Sequence, residues 1–218
     1  MRDVLEVVAL SLGFLGLVMA YICIQDSYWR ESSDDGSVII TSKFYANLWM
    51  TCATDSTGAC NCYEFQSMLA LPGLIQACRA LMITSIVLGI FGVSATLMGM
   101  QCSKVGGDNY ILKGKISVVA GVLFILQGLC TMVAVSWYAY DITSEFFDPL
   151  FEGTKYEIGG SLYIGWVSSL LALSGGALLL LACGTITEET PHPRPTHVIV
   201  KSSSSHSTSS HYKMNAYV

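Results

Sequence analysis

Four stretches of this chain contain no Asp, Glu, Lys or Arg and are long enough to cross a bilayer: residues 7–24, 80–103, 116–140 and 158–187. A spanning helix needs roughly 20 largely apolar residues. At that depth an isolated apolar segment satisfies its backbone only as a helix. The spans are therefore expected at about 7–24, 80–103, 116–140 and 160–183. Only 12% of residues are charged, against about a quarter in a soluble domain. The net charge of −5 excludes nucleic acid as a partner, because phosphate binding needs a basic face.

A cleaved signal peptide is the rival reading of the first stretch. Its apolar run exceeds the usual h-region of about 7–15 residues, and its leader mixes Arg2 with Asp3 and Glu6. It is read as a retained helix. None of the spans carries a charged residue in its middle. Proton relays and many ion-coupled carriers need an ionisable group there, so an ion path is expected outside the bundle. Gly89, Gly92, Gly175 and Gly176 are read as small residues that let helices approach closely.

Basic residues of short loops face the cytoplasm. Lys104, Lys113 and Lys115 lie between spans two and three, and Arg194, Lys201 and Lys213 lie in the tail. Both termini are therefore expected inside, with outer loops at 25–79 and 141–157. Trp137, Tyr138, Tyr140, Tyr163 and Trp166 then gather at the outer ends of spans three and four, where an aromatic belt belongs.

The first outer loop reads as β structure. Ser37 to Thr41 is rich in β-branched residues and follows the hairpin signal Asp35-Gly36. With Tyr28-Trp29-Arg30 before it and the run from Phe44 to Trp49 after it, a small antiparallel sheet is expected. Cys52 and Cys62 face an oxidising compartment in this topology. A bridge between them would contribute about 3 kcal/mol. Cys60 could instead pair with Cys52, remain free, or link two molecules.

The pattern Trp29, Asn47-Leu48-Trp49, Cys52 and Cys62, followed by Arg79 at the start of span two, resembles the signature of the claudin family. The likeness covers the chain except most of the tail. Three runs, from Cys52 to Ser56, Ser67 to Leu71 and Cys78 to Thr84, together with the run from Phe146 to Leu150, are most similar to its cation-pore members of type 15, and in part type 10.

The resemblance implies a left-handed four-helix bundle with an outer sheet built from both loops, in one domain at 1–187, and a disordered cytoplasmic tail at 188–218. It selects Cys52 and Cys62 as the bridge. It implies tight-junction strands, with partners that are further copies and other claudins, in cis and in trans. Met68 would enter a pocket at Phe146, Phe147 and Ile158 of a neighbour; intramolecular packing is the competing reading, since methionine fills gaps freely. Trp29, Asn47, Leu48, Trp49 and Arg79 are read as scaffold, with Arg79 reaching water or an outer acid.

Both outer loops are net acidic, and rings of carboxylates favour cations. Asp55 matches the acidic position that cation-pore members of the family place at the constriction, so the resemblance makes it the first candidate for ion selectivity, with Glu64 the second; ordinary solvated acids are the commoner meaning of such residues. The chain departs from type 15 at Ala46, where that type has a glutamate, at Gln66, which replaces a proline, and at Cys60. Cys102 and Cys183 are juxtamembrane candidates for palmitoylation, with inert thiols the alternative. The terminal Ala216-Tyr217-Val218 suits a PDZ domain edge.

The expected function is a cation-selective paracellular channel in tight-junction strands, embedded in membrane lipid. A barrier claudin without conductance is the first alternative. A tetraspan adhesion or auxiliary protein is the second; these often carry an outer Asn-x-Ser/Thr site, which this chain lacks. Its sequence shows no nucleophile and base pair, metal cluster or phosphate loop, so neither enzyme activity, a cofactor nor a metal is expected. The tail histidines are widely spaced and read as solvated.

Overall fold

The computed structural model describes residues 2–32, 42–65, 71–100, 110–148 and 155–188. Four long helices dominate: α1 Arg2–Gln25, α2 Gly73–Gly99, α3 Tyr110–Phe147 and α4 Gly160–Glu188. Each is long and apolar enough to cross a membrane. α1 packs against α4 and α2, and α3 against α2 and α4. The four therefore surround a common interior.

That interior holds polar side chains as well as apolar ones. Ser85 and Thr131 share a hydroxyl hydrogen bond of 2.6 Å, and Ser168 donates to the Gly16 carbonyl at 2.7 Å. Ile90, Leu170 and Leu181 point outward and are exposed. In lipid the tails are as apolar as leucine, so association relies on close packing and hydrogen bonds. Glycines supply the closeness: a Cβ on Gly175 would lie 2.9 Å from the Ala9 carbonyl, and one on Gly176 2.6 Å from that of Gly121. Gly89 and Gly92 pack in the same way, against Gln127 and Phe124.

Five strands form one antiparallel sheet: β1 Arg30–Ser32, β2 Ser42–Ala46, β3 Met50–Asp55, β4 Cys60–Glu64 and β5 Tyr156–Ile158, in the order β4-β3-β2-β1-β5. Both loops contribute, because β5 pairs with β1 through Arg30↔Ile158 and Ser32↔Tyr156. Gly159 makes the turn from β5 into α4 possible: its amide donates to the Trp29 carbonyl at 3.0 Å, and a Cβ there would fall inside the Tyr28 carbonyl.

The helices overrun the uncharged stretches in places. The loop expected from residue 141 is helical through Phe147, and α2 starts at Gly73, behind Pro72, and stops at Gly99. Charge marks where lipid is tolerated; helical hydrogen bonding continues past it. At about 1.5 Å per residue the 38 residues of α3 extend far beyond a hydrocarbon layer of about 30 Å. Tyr138 is also not part of an aromatic belt. It is 3% exposed and packs edge-on against Trp29, while Trp137, Tyr140 and Tyr163 are exposed. Residues 33–41, with the expected 37–41 strand and its turn, lie outside the described residues.

Candidate functional site

The sheet is fastened to the bundle by the residues singled out as scaffold. Trp29 is fully buried, and its indole N–H donates to the Cys23 carbonyl at 2.7 Å. Asn47 sits between β2 and β3, and its Oδ1 accepts from the amides of Trp49 (2.7 Å) and Met50 (2.8 Å). Its Nδ2 donates to the Asp26 carbonyl at 3.3 Å. One buried side chain thus turns the chain and ties it to the end of α1. Leu48 is fully buried.

Arg79 is 8% exposed. Its Nε donates to the Leu48 carbonyl at 2.6 Å, and its guanidinium lies 4.7 Å from the Trp49 ring centre and 5.8 Å from that of Phe65. A carbonyl and two aromatic faces hold it, where the sequence suggested water or an acid. Guanidinium is weakly hydrated and stacks well on rings, so this seat suits it. Asp26 adds a link, accepting at Oδ2 from the Ser161 hydroxyl at the start of α4 (2.7 Å).

Cys52 and Cys62 form the disulfide, opposite one another across β3 and β4. Cys60 is a free, exposed thiol. Beside the bridge, the Tyr45 hydroxyl lies 2.7 Å from Cys60 Sγ, and Tyr45 stacks on Tyr28 at 4.8 Å. The hydrogen bond to the sulfur holds the Tyr45 phenol above its ordinary pKa. Sequence reasoning missed this group, because nothing in the chain signals a tyrosine and a cysteine meeting across 15 residues.

Asp55 ends β3 at the hairpin turn and is exposed. Its Oδ1 accepts from the Ser56 amide (2.7 Å) and hydroxyl (3.3 Å). The turn closes through Gly58, whose φ of 81° favours glycine. Glu64 is exposed at the far end of β4, opposite Met50. Side chains alternate along a strand. Asp55 therefore shares a face with Ala53 and Thr51, whereas Glu64 shares the other with Cys52 and Cys62. The two acids are not brought together. Ala46, opposite Thr51, is only 1% exposed.

Phe146, Phe147 and Ile158 do converge. With Ile142, Tyr156 and Tyr163 they line an open pocket of about 360 Å³. Lys155 Nζ lies 5.4 Å from the Phe146 ring centre, and Phe147 is 79% exposed. Cys183 is buried in the bundle. Met68, Cys102 and the Ala216-Tyr217-Val218 terminus lie outside the described residues, as does Gln66.

Four spanning helices under a disulfide-braced sheet define a class of multi-pass membrane protein, and the family described as PMP-22/EMP/MP20/Claudin matches residues 3–179. Relatives narrow the class. Claudin-15 of Mus musculus is 44% identical over the full length of both chains. Claudin-15 of Bos taurus is 51% identical over 82% of this chain and 76% of its own. Claudin-7 of Homo sapiens is 41% identical over 82% and 86% respectively. The chain belongs to the claudin family.

Proposed function

We propose that this claudin polymerises into tight-junction strands, with itself and with other claudins, and that the strands conduct cations between cells. Exposed Asp55 at the tip of the β3–β4 hairpin is the observation that carries the cation reading. With it, Asp26, Glu31, Glu64, Asp141, Glu145, Asp148 and Glu157 outnumber Arg30, Lys43, Arg79 and Lys155 in the described parts of the two segments proposed to face outward. A monovalent cation about 4 Å from one carboxylate gains about 1 kcal/mol in water, and several-fold more where water is partly excluded. About 1.4 kcal/mol is a tenfold change in population, so one well-placed carboxylate suffices. Asp55 is the selectivity residue in this reading. Glu64 lines the opposite face and serves a different wall of the path.

The sheet faces the space between cells, and both termini face the cytoplasm. The disulfide supports this, because such bridges persist in oxidising compartments, and so do Lys104 and, at the start of α3, Lys113 and Lys115. The pocket at Phe146, Phe147 and Ile158 takes Met68 of a neighbouring protomer; a thioether against aromatic rings is a favourable contact. The tail ends as a PDZ ligand for a junction scaffold. Cys102 remains an acylation candidate, whereas the burial of Cys183 favours an inert thiol there.

A barrier strand is the second reading. Ala46 favours it: a buried methyl group stands where type 15 members carry a carboxylate, so fewer acids line the path. Expression in an epithelial line that lacks its own cation-pore claudins separates the two. The proposed function gives strands by freeze-fracture and a NaCl dilution potential that shifts toward sodium preference. Strands with raised resistance and no cation preference would leave only the barrier.

A further inference from the structure

The sulfurs of Cys52, Cys60 and Cys62 all lie within 4.8 Å of one another. Two form the bridge; the third is an exposed thiol 3.7 Å from Cys62 Sγ. A nucleophile is thus already in contact with a disulfide. The Tyr45 hydroxyl, 2.7 Å from Cys60 Sγ, is a donor that can stabilise negative charge as it forms on that sulfur.

The strand that carries Cys60 lies at the edge of the sheet. Among the described residues β4 is an edge strand, paired with β3 alone and exposed along its length. Cys60 stands opposite Thr54, and Cys62 opposite Cys52. A slide of two residues puts Cys60 opposite Cys52. Side-chain alternation has a period of two, so the slide returns every β4 residue to its own face.

We propose that the β3–β4 hairpin is a thiol–disulfide exchange site in which Cys60 displaces Cys62 from Cys52. The Cys60 thiolate attacks Cys52 Sγ. The Cys52–Cys60 bond forms as the Cys52–Cys62 bond breaks. Cys62 leaves as a thiolate and takes up the proton that Cys60 released, so no oxidant or reductant is consumed. The exchange carries Glu64 past Met50 toward Leu48 and changes its position relative to Asp55.

The test uses the full-length protein in membranes. The wild type is held at about pH 6.5 or about pH 8.5, quenched in acid, labelled at free thiols and mapped by peptide sequencing. Label divides between Cys60 and Cys62, and the division is reached roughly tenfold faster per pH unit while the thiol is mostly protonated. Label confined to Cys60 at both pH values and all times overturns the proposal. Cys62→Ser is the second measurement. Cys52 and Cys60 pair in it, so neither is labelled by a membrane-impermeant maleimide, whereas Cys60→Ser combined with Cys62→Ser exposes Cys52. Two labelled thiols in Cys62→Ser would contradict the exchange.

Discussion

Asn47 shows how much one side chain can fix. It accepts from two amides and donates to a third residue while only 1% exposed. Asn47→Ala leaves the Trp49 and Met50 amides without that acceptor, and a buried unmade hydrogen bond costs about 1–3 kcal/mol. Thermal unfolding in detergent should show a loss of that size, with Glu64→Gln unchanged beside it. Tyr45 offers a pH test. Its bond to Cys60 raises its pKa, so the folded chain holds this proton more tightly than the unfolded one. The resulting stability is present in full below the ordinary phenol range and is lost as pH rises through the raised value. Spectrophotometric titration of Cys60→Ala, which removes the hydrogen-bonding atom, should show one tyrosine returning toward its ordinary range. An unchanged titration would remove that bond from the account.

At the scale of elements, the sheet depends on its turns and its brace. Gly159→Ala drives a methyl group into the Tyr28 carbonyl. The turn must open or β5 must leave β1, and overpacking of this kind typically costs about 1–3 kcal/mol. Loss of surface expression with retained helical circular dichroism in the purified remainder is the expected result. Cys52→Ser removes the bridge, with an expected cost of about 3 kcal/mol for a loop of this length, read as a lowered melting temperature. The helices were legible in the sequence because lipid imposes a long uncharged run on each. Their ends were not, since hydrogen bonding continues beyond the lipid in α3. β3 and β4 were hidden for a different reason. Cys60-Asn61-Cys62-Tyr63-Glu64 is exposed throughout and carries no alternation of apolar and polar residues; the ladder and the disulfide hold it. Trp29, Asn47, Leu48, Trp49 and Arg79 stand out in the sequence through the family pattern, whereas the Asp26–Ser161 and Tyr45–Cys60 contacts join distant positions with no local signal.

Across the whole molecule, charge is distributed unevenly between the bundle and the sheet. The bundle presents many apolar side chains outward and joins its helices through buried hydroxyls, and none of its spans carries a charge at mid-depth. Many of the carboxylates lie on the sheet and the segments beside it, which is why the proposed ion path is placed there. Asp55 and Glu64 lie on opposite faces of the hairpin. Their contributions should therefore be separable, and comparing them tests the proposed cation path most directly. The measurement is the NaCl dilution potential across monolayers expressing the wild type, Asp55→Asn or Glu64→Gln at matched surface levels. The expected result is sodium preference in the wild type, its loss by several-fold in Asp55→Asn, and a smaller change in Glu64→Gln. Sodium preference that survives Asp55→Asn intact would contradict it.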